Sequence, residues 1–95
     1  ILPKSAELHS PYPNPFNGKL SIPFDVNIFQ SPIIAIYNIK GRKVFAKNLS
    51  RNDITRGKIN WNVDNYQRQN LSSGIYIVKL YSKTYLESSK IMFIK

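Results

Sequence analysis

The sequence contains no cysteine and a single histidine, His9. The lack of cysteine excludes disulfide bridges and thiolate metal sites. Metal centres and nucleophilic triads need several positioned groups, whereas the five carboxylates of this chain are scattered along it. A glycine-rich phosphate-binding loop is absent as well. We therefore expect no catalytic residue, no metal site and no cofactor, and an enzyme is the least favoured class of function.

Long apolar runs are also missing from the chain. No stretch approaches the ~20 residues that a membrane-spanning helix needs. The first residues, Ile1-Leu2-Pro3-Lys4, do not have the pattern of a signal peptide. If the chain is exported, we expect it to be the C-terminal part of a longer precursor whose signal lies upstream.

Acidic residues are scarce. The chain has five acidic and 14 basic residues, and its formal net charge is +9. Up to Ile39, two basic residues are balanced by two acidic ones. From Lys40 onward there are 12 basic and three acidic residues, which accounts for the whole net charge. This asymmetry suggests an anionic partner, such as nucleic acid, an anionic lipid or lipopolysaccharide, or an acidic protein surface. A well-solvated surface without such a partner is the alternative.

What the sequence does contain is a strong alternation of apolar and polar residues, which is typical of strands with one buried face. The buried positions expected from it are Leu20, Ile22, Phe24, Val26, Ile59, Trp61 and Val63. Pro23 falls on the outward set and removes a backbone donor, which predicts a free edge or a bulge there. With 95 residues, 42% of them hydrophobic, the chain fits one domain with one core.

We predict strands at about 19–26, 33–39, 43–48, 58–63, 75–81 and 88–95. Residues 33–39 are apolar on both sides and predict a central strand covered from both sides. The turn Lys40-Gly41-Arg42 joins this strand to the next as a hairpin, with Gly41 at positive φ. The polar segments 27–32, 50–56 and 64–73 are predicted to be loops. Short strands in this rhythm indicate an all-β sandwich or a small barrel, and we favour the sandwich.

An unusual segment precedes the first long strand and reads Tyr12-Pro13-Asn14-Pro15-Phe16-Asn17. Two prolines fix φ and disfavour helix before each of them, which predicts a rigid, extended segment. The two asparagines are suited to capping local turns. Phe16 is expected to pin the segment to the core.

Several such segments follow one another in a fixed order. They are Pro13-Asn14-Pro15-Phe16-Asn17, Ile36-Tyr37-Asn38-Ile39-Lys40-Gly41-Arg42-Lys43-Val44, the Trp61 strand, Ser73-Gly74-Ile75-Tyr76 and the terminal Lys90-Ile91-Met92-Phe93-Ile94-Lys95. In this order, from about Leu8 to Lys95, the chain resembles the type A C-terminal sorting domain of the bacterial type IX secretion system. The immunoglobulin-like domain of the flagellar hook-capping protein is similar in its proline-rich start and its Gly-x-Tyr strand.

The resemblance implies an immunoglobulin-like β-sandwich of about seven antiparallel strands, with residues 8–95 as the sorting domain and residues 1–7 as a linker from an upstream cargo protein. It implies export through the periplasm, recognition by an outer-membrane translocon, and removal of the domain by a surface sortase near or before residues 1–7. The cargo would then remain on the cell surface, often linked to anionic lipopolysaccharide, or enter the medium. No nucleic-acid partner is expected.

Two groups of residues are expected to matter for this role. The residues expected to be recognised by the translocon are Lys90, Ile91, Met92, Phe93, Ile94 and Lys95. Their strand is apolar on both faces, so it is either docked in the sandwich or free for edge pairing with a receptor. The residues expected to be structural are Pro13, Asn14, Pro15, Phe16, Gly41, Trp61, Gly74 and Tyr76. Trp61 is interpreted as a core residue rather than a sugar platform, and Tyr76 as the tyrosine corner of immunoglobulin-like folds.

Three other functions remain open from the residues alone. A carbohydrate-binding module is the first, because small β-sandwiches often bind glycans through exposed aromatics. The tyrosines available for such a platform are Tyr12, Tyr37, Tyr66, Tyr81 and Tyr85. A structural domain like that of the hook-capping protein is the second. Nucleic-acid binding through basic and aromatic residues is the third.

Overall fold

The computed structural model describes residues 6–27 and 31–95, and within them the chain forms seven strands and two short helices. The strands are β1 (Ala6–Leu8), β2 (Lys19–Val26), β3 (Ile33–Asn38), β4 (Lys43–Asn48), β5 (Lys58–Asn62), β6 (Gly74–Tyr81) and β7 (Leu86–Phe93). The helices are α1 (Arg51–Arg56) and α2 (Asn65–Asn70).

The strands form two antiparallel sheets packed face to face. One sheet has three strands in the order β1-β2-β5, and the other has four in the order β4-β3-β6-β7. The predicted all-β sandwich of about seven strands is therefore confirmed, and the barrel is excluded for the described residues.

The core lies between the sheets and is built from the alternating residues. In the three-stranded sheet, Leu20 pairs with Trp61 and Ile22 with Ile59, and all four side chains point inward and are buried. The four-stranded sheet supplies the opposing side chains, which are Ile34, Ile36, Tyr76, Val78, Leu80, Ile91 and Phe93. In β2 and β5 the period-two pattern thus identified the inward face correctly, although Val26 at the end of β2 is only partly buried.

Pro23 lies in β2, between β1 and β5, and the pairing is irregular beside it. Leu8 pairs with Phe24, whereas Tyr12 pairs with Ser21, so the register shifts by one residue between these pairs. Proline has no amide hydrogen to donate, and its carbonyl accepts from the His9 amide at 3.0 Å. The irregularity predicted at Pro23 is present.

The prediction that residues 33–39 form a strand covered from both sides is wrong in one respect. β3 is central in its sheet, and Ile34 and Ile36 are fully buried in the core. On its other face Ala35 is fully buried by the neighbouring strands, but Ile33 and Tyr37 are only half-buried, because none of the described residues forms a further sheet over this side. Inter-strand neighbours cover them partly, as with Lys79, whose Nζ lies 4.9 Å from the centre of the Tyr37 ring.

Two segments predicted to be irregular contain the helices. Residues 51–56 form α1, which Ser50 caps and Gly57 ends with a φ of +77°. Residues 64–73 contain α2, whose first turn is capped by the Asp64 side chain through the Gln67 amide at 2.8 Å. These helices are too short to show an amphipathic period, so only their capping residues marked them.

The ends of the chain also differ from the predicted boundaries. β7 begins at Leu86 and ends at Phe93, two residues earlier at both ends than predicted. Ala6 and Glu7, the last two residues of the predicted linker, belong to β1, and residues 1–5 lie outside the described residues. Of the predicted loop 27–32, residues 28–30 lie outside the described residues.

Asp53 is a buried carboxylate that ties α1 to β4. Its Oδ1 lies 2.6 Å from Nη2 of Arg56, its Oδ2 lies 3.2 Å from Nζ of Lys47, and the Ser50 amide donates to Oδ2 at 2.9 Å. Burial raises the pKa of Asp53, but the hydrogen bonds from Ser50 and Lys47 and the charge of Lys47 outweigh it, so the net pKa lies below its ordinary value of 3.8.

This lowered pKa predicts that Asp53 stabilises the domain at neutral pH and loses that effect in acid. A carboxyl with a depressed folded-state pKa contributes stability above its unfolded pKa, and the contribution is lost as the pH falls through the folded pKa. Asp53→Asn should therefore be less stable than wild type at about pH 7, and the gap should narrow towards about pH 3. Urea unfolding across this range checks it. As a control, Asp25→Asn changes an exposed carboxylate outside the network and should not reproduce this pH-dependent difference in stability. A stability difference between Asp53→Asn and wild type that stays constant with pH would contradict the role of Asp53.

Candidate functional site: the proline segment and the terminal strand

The proline segment, residues 12–17, crosses from one sheet to the other. Tyr12 exchanges two backbone hydrogen bonds with Ser21 of β2, at 3.0 and 2.8 Å, and Phe16 forms a parallel bridge with Phe93 of β7. Residues 13–15 bend between these two contacts, and both proline peptide bonds are cis. The expectation of an extended segment is wrong, because this short stretch has to connect the two layers.

The side chain of Asn14 pairs with the outer edge of β7. Its Oδ1 accepts from the Met92 amide at 2.9 Å, and its Nδ2 donates to the Lys90 carbonyl at 3.3 Å. A carboxamide carries the same donor and acceptor as a peptide group, so Asn14 occupies the place of a neighbouring strand. The prediction that Asn14 caps a local turn is wrong, since its partners are 76 and 78 residues away.

Phe16 and Asn17 continue this pairing to the end of the chain. The Phe16 amide donates to the Met92 carbonyl at 2.9 Å, and the Phe16 carbonyl accepts from the Ile94 amide at 2.8 Å. Nδ2 of Asn17 donates to the Ile94 carbonyl at 3.0 Å. These contacts close the edge of β7 from Lys90 to Ile94. We call the proline segment and residues 90–95 together the clasp.

The ring of Phe16 fixes the clasp to the core. It is 1% exposed and its centroid lies 5.7 Å from that of Trp61 and 5.2 Å from that of Phe93. Trp61 is buried, and its ring also contacts Phe45, so the aromatic cluster spans both sheets. Tilted aromatic pairs at these distances are favourable. A buried Trp61 offers no open ring face to a sugar.

The six terminal residues divide into two sets. Ile91 and Phe93 are buried in the core, whereas Lys90, Met92 and Ile94 are exposed on the outer face of the sheet and Lys95 is exposed beyond the strand. The Lys95 amide donates to Oγ of Ser73 at 2.8 Å. In the folded domain, only the side chains of Lys90, Met92, Ile94 and Lys95 are therefore accessible from the solvent.

Gly74, Tyr76 and Gly41 lie at the end of the four-stranded sheet. The Tyr76 hydroxyl donates to the Ser72 carbonyl at 2.7 Å, which is the geometry of a tyrosine corner. Burial raises the pKa of Tyr76 above its ordinary value of 10.0, and the bond to Ser72 opposes this. Gly41 has a φ of +83° in the β3–β4 turn, where Oδ1 of Asn38 accepts from the amides of both Lys40 and Arg42.

The part of the chain that the structure describes contains neither a cluster of metal-ligating side chains nor a helix that could span a membrane. Within it, no three His, Cys, Asp or Glu side chains come together in a group that could hold a metal ion. Neither α1 nor α2 is long and apolar enough to cross a membrane.

Sequence reasoning missed the role of Asp53 and the joining of the two halves of the clasp. The spacing Ser50-x-x-Asp53, with Gly57 beyond it, is a capping pattern that would have located α1. The clasp had no comparable signal, because its residues are far apart in the sequence.

Comparison with known proteins agrees with this architecture. The chain is similar in fold to the solved structure of PorZ, described as an essential bacterial surface component of the type IX secretion system of the human oral-microbiomic Porphyromonas gingivalis. The TM-score is 0.68 at 17% identity, and the match covers 93% of this chain and 11% of PorZ, so the chain corresponds to a small part of that protein. No curated protein matches the chain.

The family comparison covers both halves of the clasp. The model of the secretion system C-terminal sorting domain matches residues 10–95, which include the proline segment and the terminal strand. The chain therefore belongs to the C-terminal sorting domains of the type IX secretion system.

Proposed function

We propose that this domain directs an upstream cargo protein from the periplasm through the outer-membrane translocon of the type IX system, and that a surface sortase then removes it. A sorting domain of this family implies export to the cell surface or the extracellular space. The domain itself carries out no catalysis in this proposal. Its partners are the translocon, the sortase and the cargo, and the cargo is retained on anionic lipopolysaccharide or released.

The observation that carries the proposal is the match to the sorting-domain family over residues 10–95, which takes in the whole clasp. In the clasp, Asn14 and Phe16 hold the terminal strand in one defined position. The exposed terminal side chains, including those of Lys90 and Met92, are therefore presented at defined places on the sheet. Such preorganisation favours specific recognition, because less conformational entropy is lost on binding.

A reporter fusion tests both the route and the removal. A fluorescent protein with an export signal is joined to the N-terminus of the chain and expressed in a type IX-competent bacterium, its translocon mutant and its sortase mutant. We expect reporter that lacks the domain only in the competent strain, full-length fusion in the sortase mutant, and periplasmic fusion in the translocon mutant. Mass spectrometry of the recovered reporter should place its C-terminus near or before residues 1–7.

Full-length fusion in the periplasm of all three strains, with the domain folded, would contradict the proposal. That outcome would favour a glycan-binding module or a structural immunoglobulin-like domain. Affinity electrophoresis on polysaccharides would then distinguish these two.

A further inference from the structure

Three aliphatic side chains lie exposed at one end of the outer face of the four-stranded sheet. Ile75 of β6 is directly opposite Met92 of β7, and Ile39 follows Asn38, whose partner in β6 is Tyr76. Their exposed fractions are 78% for Ile39, 42% for Ile75 and 40% for Met92. We call these three residues the apolar row. Adjacent exposed aliphatics on a sheet face that none of the described residues covers are typical of an interaction surface.

A basic groove of about 600 Å³ adjoins the apolar row, and Ile39 and Ile75 form part of its wall. It lies between the β3–β4 turn and the segment that leads from α2 into β6. Among the residues that the structure describes, three cations line it, namely Lys40, Arg42 and Lys43, and no carboxylate does. The remaining polar lining consists of amide and hydroxyl side chains, which are those of Asn38, Gln67, Asn70, Ser72, Ser73 and Tyr76.

The groove cations have no carboxylate partner in residues 6–27 and 31–95. Both ion pairs found there involve Asp53, which binds Lys47 and Arg56 at the other end of β4. Lys90 adds a further exposed cation on the same outer face, opposite Ile77 and next to the apolar row. This end of the sheet is therefore positively charged around an aliphatic centre.

The closed edge of β7 directs a partner to this face. The groups that a pairing strand would need on residues 90–94 are bonded to Asn14, Phe16 and Asn17. A partner that binds the folded domain at the terminal segment must therefore meet the outward side chains. Met92 and Lys90 belong to both the terminal segment and this outer face, which makes the two surfaces continuous.

We propose that the apolar row and the basic groove form the docking surface for an acidic protein surface that presents carboxylates around aliphatic side chains. This inference rests on the proposed sorting function and assigns the surface through which it acts. Aliphatic contacts at the centre with charged pairs at the rim are the usual anatomy of protein interfaces. A glycan fits less well, since Tyr76, the one aromatic among the described lining residues, is buried and bonded to Ser72.

Paired substitutions in the reporter fusion test this surface. Ile75→Thr combined with Met92→Thr removes aliphatic surface, and threonine still favours the strand conformation. Its control is Leu86→Thr at the far end of the same face, where the Leu86 side chain is 62% exposed. Arg42→Glu with Lys43→Glu reverses the groove charge. Its control is Lys19→Glu with Lys58→Glu, which makes the same charge change at exposed positions of the other sheet.

We expect each test pair to lower the surface reporter by about tenfold or more, as for residues central to an interface, and the controls to leave it unchanged. Thermal unfolding of each purified variant shows whether the domain is still folded. Export of both folded test pairs at the wild-type level would overturn the docking surface and leave the sorting function standing. If Arg42→Glu with Lys43→Glu abolished export while the aliphatic pair did not, the proposal of an acidic protein partner would be overturned. A polyanion such as a lipid head group would then be the favoured partner. Failure of the unsubstituted fusion to reach the surface would overturn the sorting function itself.

Discussion

Deletion of residues 90–95 is expected to unfold the domain. The deletion removes Ile91 and Phe93, both fully buried, and it removes the β7 half of the clasp. Loss of a buried Phe costs about 3–5 kcal/mol and loss of a buried Ile about 2–5 kcal/mol. The sum is comparable to the whole stability of a typical domain, about 5–15 kcal/mol. Circular dichroism of the truncated chain should show no cooperative thermal transition.

Deletion of Ile94 and Lys95 alone is the matched control. Ile94 is exposed, and loss of its hydrogen bonds to the Phe16 carbonyl and the Asn17 side chain costs about 1 kcal/mol each. This shorter deletion should therefore retain a cooperative transition at a lower temperature. A folded chain after the longer deletion would contradict the placement of Ile91 and Phe93 in the core. Because the longer deletion unfolds the domain, loss of export after it would not identify a recognition sequence.

Phe16→Ala is expected to destabilise the domain by about 3–5 kcal/mol. The ring is 1% exposed and contacts Trp61 in one sheet and Phe93 in the other, so its removal leaves a cavity between the layers. The backbone bonds of residue 16 to β7 remain available, and the loss therefore measures packing. Urea unfolding of the purified domain gives the change in the free energy of unfolding.

Tyr12→Ala serves as the control for Phe16→Ala. Tyr12 belongs to the same proline segment, but its side chain is half exposed. Exposed substitutions away from special contacts usually change stability by no more than about 0.5 kcal/mol. If both substitutions lowered the free energy of unfolding equally, the segment would be held by its backbone hydrogen bonds. That result would contradict the role assigned to the Phe16 ring.

The sandwich was predictable because its signal is local. Alternation in β2 and β5 placed Leu20 and Trp61 on the inward face, and Gly41 marked the hairpin turn. The two helices escaped notice because each has six residues, too few for a helical period. Their formation depends on the caps at Ser50 and Asp64, which a search for periodicity does not detect.

The clasp could not be derived from the sequence for a different reason. The carboxamide of Asn14 meets Met92 across 78 residues, and nothing near either residue specifies the other. Local chemistry at Asn14 predicted a turn cap, because Asn side chains often bond to their own backbone. Tertiary structure overrides this preference by offering the unpaired edge of β7, whose donors and acceptors need partners.

The clasp also changes how the terminal strand is understood. A strand that is apolar on both faces was expected to be either docked or free for edge pairing. In the structure, Ile91 and Phe93 are docked, the edge is closed by Asn14 and Phe16, and Met92 remains exposed on the outer face. We therefore expect the translocon to recognise a surface of the folded domain rather than a linear tail.

Protease accessibility of the reporter on intact cells tests the sorting role most directly. The fusion with the intact chain is compared with the same reporter without the chain, in the type IX-competent bacterium and in its translocon mutant. We predict that protease reaches the reporter only when the chain is present and the translocon is functional. Equal accessibility in the two strains, with a folded domain, would contradict the assignment of this chain as a type IX sorting signal.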